Sequence, residues 1–181
     1  MFDQSIPEAA GWQETLSRGD IVLFRFPIIE NGFEAAKTRP CLVLDVEVHG
    51  GNRRAALAYG TSAQTAANRG YEIWVKRQSS MAVAGLYRPM RFVGSRRISV
   101  ALCHAGFKLG EQGSPVIGQL DDYLVRRMNA VRARMQAEQD IAMEALQEKR
   151  EERQRWLREN ATLASPDLSA RPRNGLLEGI V

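Results

Sequence analysis

Short apolar runs alternate with polar and turn-forming residues over residues 20–103. Each run is rich in Val, Ile, Tyr and Phe and is bounded by Gly, Pro or polar clusters, which is typical of β-strands. The runs are DIVLFRF, CLVLDVEV, AALAYG, YEIWV, MRFV and ISVALC. No helix-length periodic segment separates them, so the crossover helices that a parallel sheet needs are missing. The pattern predicts a mainly β (α+β) architecture, either a small barrel or a curled sheet, with the closed form favoured.

The pattern changes near Gln119, where apolar residues begin to recur at steps of three and four in a stretch without Gly or Pro. The recurring residues are Leu120, Leu124, Met128, Val131 and Met135. This spacing predicts an amphipathic helix, continuing through the charged run QEKREERQRWLREN to about residue 160. At 1.5 Å per residue such a helix would be about 60 Å long. We therefore expect its distal half to project, to bend back or to pair with another chain.

These patterns divide the chain into four regions. Residues 1–16 form an N-terminal extension, residues 17–118 the β-barrel, and residues 119–160 the long helix. Residues 161–181, ATLASPDLSARPRNGLLEGIV, mix turn formers with a few apolar residues. This composition predicts a flexible tail, with a docking peptide as the alternative.

Composition and length are those of an ordinary soluble protein. The chain has 181 residues, 44% hydrophobic and 25% charged, enough for one well-cored domain with an appendage. No apolar run reaches the roughly 18 residues of a membrane span, and the N-terminus carries acids where a signal peptide carries a basic region. We expect a cytoplasmic protein without a membrane partner.

The cysteines and the net charge narrow the chemistry further. Cys41 and Cys103 lie in apolar stretches without a CxxC pair, so we interpret both as small buried hydrophobes and expect neither disulfide nor zinc site. The net charge is +4, and the whole positive excess lies in residues 1–120. This excess suits a phosphate-bearing partner, although many folded domains carry a similar charge without one.

Common catalytic motifs are absent from the sequence, which has no GxxxxGK[ST], GxSxG, HExxH or GxGxxG. Of the two histidines, we interpret His49 as a loop residue and His104 as a strand-end residue rather than as catalytic groups.

Polar residues do cluster at predicted strand ends, where a rigid scaffold presents reactive groups. Glu34 precedes Arg39 by five residues, and Thr61 and Ser62 follow the run AALAYG. In a small antiparallel barrel, the loop before Pro40 and the turn after Tyr59 can lie at the same rim. A guanidinium, two hydroxyls and a carboxylate could then converge on a phosphate group. The alternative is a surface ion pair between Glu34 and Arg39, with Thr61 beginning a turn.

Four segments in order resemble one known protein family. The order RGDIVLFRFP, EAAKTRPCLVLDV, YGTSAQ with RGYEIWV behind it, and AGLYRPMRF is similar to the PemK and MazF toxin endoribonucleases of type II toxin-antitoxin systems. The resemblance spans about residues 17–135. It implies a small SH3-like (PemK/CcdB-like) β-barrel with a C-terminal helix, paired as a homodimer with RNA in a shared groove. It also implies cleavage of single-stranded RNA at short sequences without a metal or other cofactor, and an antitoxin protein that blocks the groove.

Residue by residue, the resemblance places the catalytic arginine at Arg39, the catalytic threonine at Thr61 and the loop glutamate at Glu34. Because arginine stays protonated, we assign Arg39 to the phosphate charge and, as an option, to proton donation. Thr61 would orient a phosphate oxygen, and Glu34 is the candidate base. The loop departs from the E-Q-x-G pattern that is common in the family, since Glu34 is followed by Ala35, Ala36 and Lys37.

Further residues are candidates for binding RNA through phosphate contacts or base stacking. We predict substrate contacts at Ser62, Lys37, Arg69, Arg96 and Arg97. Other cations are Arg53, Arg54, Lys76, Arg77, Arg88 and Arg91, and the aromatic candidates are Tyr59, Tyr71, Trp74 and Tyr87. Two alternatives to a nuclease stay open. One is a PemK-fold module that binds nucleic acid or protein without cleavage, as gyrase-poisoning toxins do, and the other is an assembly protein whose working part is the helix.

Overall fold

Strands dominate the described part of the chain up to a long terminal helix. A computed structural model describes residues 11–27, 29–30, 33–34, 37–110 and 112–163, with only the backbone of residues 29, 30, 33, 34, 162 and 163. The elements in order are α1 (Trp12–Thr15), β1 (Asp20–Phe26), β2 (Ile29–Glu30), β3 (Phe33–Glu34), β4 (Lys37–His49), β5 (Asn52–Thr61), β6 (Glu72–Val75), α2 (Gln78–Val83), β7 (Met90–Ala101), β8 (Val116–Gln119) and α3 (Asp122–Leu163).

One curled, six-stranded antiparallel sheet forms a half-barrel in the order β6-β7-β5-β4-β1-β8. The hairpin β2-β3 is separate from it. The long C-terminal helix and the alternative of a curled antiparallel sheet are confirmed, whereas the closed barrel that the sequence favoured stays a prediction, because the sheet forms a half-barrel. The predicted run MRFV and the first four residues of ISVALC are parts of the single strand β7, and β8, α2 and the small hairpin were not predicted.

Both faces of the sheet are covered by apolar side chains. In β1, Ile21 belongs to the cluster under α2 and α3, whereas the adjacent Val22 belongs to a second cluster that includes Phe24 and Phe107. Successive side chains of a strand point to opposite faces, so a strand covered on both sides reads as a continuous apolar run. This is why CLVL, which supplies both clusters, shows no alternation.

The first turns of α3 pack on the sheet through the predicted apolar stripe. Leu120, Leu124, Met128, Val131 and Met135 are all buried, so the predicted amphipathic face is confirmed. Asp121 caps the helix, because its Oδ1 accepts a hydrogen bond from the Leu124 amide at 2.9 Å. The Ser80 hydroxyl donates to Asp121 Oδ2 at 2.5 Å and, together with the Leu124 amide, lowers the pKa of Asp121.

Contacts divide the chain within α3 into two compact units, residues 1–137 and 138–181. Both apolar clusters belong to the first unit. In the second, the described side chains up to residue 161 are all exposed. The predicted flexible tail comprises residues 161–181, of which residues 164–181 lie outside the described residues. Residues 1–10 of the predicted N-terminal extension also lie outside them. Of that extension, Leu16 is buried and Trp12 contacts Phe107, with ring centroids 4.9 Å apart.

One carboxylate ties α3 and the loop before β1 to the sheet. Asp45 lies at a bulge in β4, where its Oδ1 accepts a hydrogen bond from Arg18 at 2.8 Å and its Oδ2 pairs with Arg132. Partial burial opposes ionisation, but the Arg18 hydrogen bond and the charges of Arg132 and Arg18 prevail and lower the pKa of Asp45. The ionised carboxylate therefore stabilises the packing of α3.

The two cysteines differ in their surroundings. Cys41 is buried, and burial raises its pKa to about 12. Cys103 is exposed, so its predicted burial is wrong, because the run ISVALC leaves the strand after Ala101 and turns. No helix in the described ranges is both long and apolar enough to cross a membrane.

Candidate functional site

The pairing of β4 with β5 brings the predicted catalytic arginine and threonine to the same end of the sheet. Cys41 pairs with Tyr59, so Arg39 lies two residues before this pair on β4 and Thr61 lies two residues after it on β5. A Cβ atom on the intervening Gly60 would lie 2.0 Å from the Pro40 carbonyl oxygen. The two backbones are therefore in contact between the candidate residues.

Tyr59 holds the guanidinium of Arg39. Arg39 Nη1 donates a hydrogen bond to the Tyr59 hydroxyl at 2.7 Å, and its guanidinium carbon lies 4.8 Å from the ring centroid. Only 6% of Tyr59 is exposed, and its ring packs edge-on against Phe26 at 5.4 Å. Pro40 further restricts the backbone at Arg39 to extended conformations. The arginine is thus fixed by a buried, rigid neighbour.

A bulge in β7 brings a second guanidinium to the same ring. Arg97 pairs with Ala58, whereas Val93 pairs with Tyr59, so three extra residues of β7 face this point of β5. Bulges re-aim the side chains that they carry. Among the extra residues is Arg96, whose exposed guanidinium lies 4.5 Å from the Tyr59 ring centroid.

The neighbouring Arg97 points the other way. Its Nη1 lies 2.9 Å from the Met135 sulfur of α3, on the opposite face of the strand from Tyr59. Sequence reasoning paired Arg96 with Arg97 as substrate contacts, but adjacent strand residues face opposite sides. The structure brings Arg96 to the Tyr59 ring that Arg39 also contacts and places Arg97 on the α3 face.

The loop after Thr61 is anchored by a buried arginine. Arg91 pairs with Thr61 across β5 and β7 and is 4% exposed. It donates to the carbonyl oxygens of Thr65 and Ala67 at 3.1 Å each, to Thr65 Oγ1 at 2.5 Å and to Glu72 Oε1 at 2.5 Å. Its prediction as a surface cation for RNA is therefore wrong, because all these contacts are internal. Arg91 instead positions the segment that carries Thr61.

Thr61 and Ser62 lie at the end of β5. Thr61 is half-buried and its Oγ1 accepts a hydrogen bond from the Ala63 amide at 3.1 Å, and Ser62 is exposed. Because Oγ1 uses a lone pair in this turn, its hydroxyl proton can be donated to a ligand oxygen.

The remaining predicted site residues lie around this end of the sheet or outside the described side chains. Lys37 is exposed at the start of β4, two residues from Arg39 and so on the same strand face. Arg69 is exposed in the loop between β5 and β6. Glu34 ends β3, but its side chain lies outside the described residues, so its role stays a prediction.

Several other predicted contacts have structural partners. Arg53 donates to the carbonyl oxygens of Gln13 and Glu14 at the end of α1. Tyr71 and Trp74 are half-buried beneath the cations of Arg134 and Lys76 respectively. Tyr87, by contrast, is 85% exposed. Of these aromatic side chains, Tyr87 is therefore the most accessible to an RNA base, and stacking of a base on its ring stays a prediction.

No family model matches the chain, and no curated protein matches it.

The described ranges contain no group of three or more His, Cys, Asp or Glu side chains able to hold a metal ion. Guanidinium forks and hydroxyl donors at one sheet end are suited to a phosphate diester. We call Arg39, Tyr59, Thr61 and Arg96 the rim site.

Proposed function

We propose that this chain is an endoribonuclease that cleaves single-stranded RNA at short sequences without a metal, as its resemblance to the PemK and MazF toxins implies. The observation that carries the proposal is the placement of Arg39 and Thr61 on adjacent strands at one end of the sheet. The curled sheet and α3 are compatible with the SH3-like barrel of those toxins. A cytoplasmic homodimer that is neutralised by an antitoxin protein belongs to the same proposal.

Each group of the rim site has a role in such a reaction. The RNA 2′-hydroxyl attacks the adjacent phosphorus, the P–O5′ bond breaks, and the products are a 2′,3′-cyclic phosphate and a 5′-hydroxyl. The Arg39 guanidinium stabilises the additional negative charge on the pentacoordinate phosphorus, and the Thr61 hydroxyl donates to a non-bridging oxygen. Glu34 would accept the 2′-hydroxyl proton, and Arg39 would donate a proton to the leaving 5′ oxygen and regain one from solvent.

The test is cleavage of a mixed-sequence single-stranded RNA in EDTA by the parent chain, Arg39→Gln and Thr61→Val. Loss of one donor to a developing charge typically slows a reaction about 10²- to 10³-fold, and we expect a decrease of this order for each variant. Arg126→Gln removes an equal charge from the exposed surface of α3 and serves as the matched control. Equal rates for Arg39→Gln and the parent chain would rule out the assignment.

A binding or assembly protein is the second candidate function. The second unit exposes several large apolar side chains, which favours packing against another chain. They are Ile141, Met143, Leu146, Trp156 and Leu157. Truncation after Ala137 retains both apolar clusters, and light scattering would then report whether the molar mass of the particle falls. Retention of RNA without cleavage by the full chain would favour the binding protein over the nuclease.

A further inference from the structure

A buried tyrosine joins two guanidiniums in the rim site. Tyr59 accepts the hydrogen bond of Arg39 on its hydroxyl, and the guanidinium carbons of Arg39 and Arg96 lie 4.8 and 4.5 Å from its ring centroid. The two arginines come from different strands, β4 and the bulge of β7. Both contact Tyr59.

Two like charges at one ring repel each other, and the negative face of the ring offsets part of that repulsion. In the described part of the chain, no carboxylate lies within ion-pair distance of Arg96. An anion beside the exposed Arg96 and near Arg39 would receive hydrogen bonds from planar guanidinium forks. The arrangement therefore favours an anionic ligand.

We propose that Tyr59 is the positioning residue of a subsite that holds one phosphodiester of a single-stranded nucleic acid between Arg39 and Arg96. The hydroxyl of Tyr59 orients Arg39, and its ring holds Arg96 toward the same phosphate. The inference rests on the proposed function in one respect only, namely that the bound diester is the one that Arg39 and Thr61 act on. A phosphodiester is favoured over a carboxylate because the Thr61 hydroxyl adds a third donor from the neighbouring strand end.

Salt dependence of binding tests whether the two arginines share one phosphate. A fluorescent 2′-O-methyl RNA oligonucleotide lacks the nucleophile, so its affinity for the full chain can be measured by anisotropy without cleavage. For single strands, each neutralised phosphate contributes about 0.7 to the slope of log K against log salt. We expect Arg39→Gln/Arg96→Gln to lower the slope by about 0.7, whereas two separate phosphates would give about 1.4. Arg97→Gln, the same change at the adjacent position facing α3, leaves the slope unchanged.

The role of Tyr59 is tested by Tyr59→Phe, which keeps the ring and removes the hydroxyl that Arg39 contacts. We expect a modest decrease in melting temperature, because Arg39 loses a hydrogen-bond partner. Well below that temperature we expect an unchanged KM and a kcat reduced at least about tenfold, because a mispositioned charge loses transition-state stabilisation while ground-state binding is retained. Equal kcat values for Tyr59→Phe and the parent chain would overturn the positioning role.

The outcomes separate this inference from the nuclease proposal. If the parent chain binds the oligonucleotide with the expected slope changes but cuts no RNA, the phosphate subsite stands and the nuclease proposal fails. If the parent chain cuts RNA while the arginine double variant keeps the parent slope, the subsite is wrong and the nuclease proposal stands. If the double variant loses affinity for a glutamate-rich peptide and keeps affinity for the oligonucleotide, the subsite binds carboxylates and the inference is overturned.

Discussion

Substitution of Arg91 by methionine distinguishes a structural arginine from an RNA contact. The side chains of Arg91 and Glu72 are 5% and 11% exposed and are joined by a 2.5 Å ion pair. Methionine keeps much of the apolar stem, but it leaves the Glu72 carboxylate and the carbonyl oxygens of Thr65 and Ala67 without this donor. Removal of one partner of a buried pair typically costs about 3–5 kcal/mol. We expect the free energy of unfolding of Arg91→Met to fall by that amount.

Urea unfolding followed by tryptophan fluorescence measures this loss. The matched variant Glu72→Gln/Arg91→Met replaces the abandoned carboxylate by a neutral amide, so we expect it to be more stable than Arg91→Met alone. RNA cleavage should decrease in both variants, because the segment after Thr61 loses its anchor. A loss below about 1 kcal/mol for Arg91→Met, a value typical of surface residues, would refute the structural role.

Two further predictions concern the attachment of α3. The pKa of Asp45 is lower in the folded chain than in the unfolded chain, so its contribution to stability is present above the unfolded value of about 3.9 and is lost as pH falls through the folded value. The melting temperature of the parent chain should therefore fall more between about pH 6 and about pH 3 than that of Asp45→Asn, and equal decreases would contradict the pairing with Arg18 and Arg132. On the helix itself, Met128→Ala leaves a cavity in the core. The free energy of unfolding in urea should therefore fall by about 2–5 kcal/mol. Met143→Ala, at a position 60% exposed, should stay within about 0.5 kcal/mol of the parent chain, and similar losses for both would contradict the packing.

Much of the fold could be predicted because periodicity reports burial directly. The apolar stripe from Leu120 to Met135 identified the packed face of α3, and DIVLFRF matches β1 residue for residue. Strand β7 was divided in two because its bulge carries the polar residues between MRFV and ISVALC. A bulge adds residues without an apolar partner, so sequence alone reads it as a loop.

The candidate site was predictable only in part. The position of Arg39 before an apolar strand and of Thr61 at a strand end indicated the right end of the sheet. The joining of Arg39 and Arg96 by Tyr59 depends on the register of three strands, which no local pattern encodes. Arg91 was counted among the cations available to RNA, whereas the structure buries it in a pair with Glu72, the circumstance in which arginine can be buried. The signal that could have corrected this was its alternation with the apolar residues Met90 and Phe92 in a strand with two covered faces.

The most direct test of the central claim compares RNA cleavage by the parent chain, Arg39→Gln, Thr61→Val and the double variant, with mapping of the new 5′ ends. If Arg39 and Thr61 act on one phosphate, the parent chain produces 5′-hydroxyl ends at short recurring sequences. The double variant should then be about as slow as the slower single variant, because residues that act as a unit are not additive. Cleavage at the parent rate by the double variant would contradict the account.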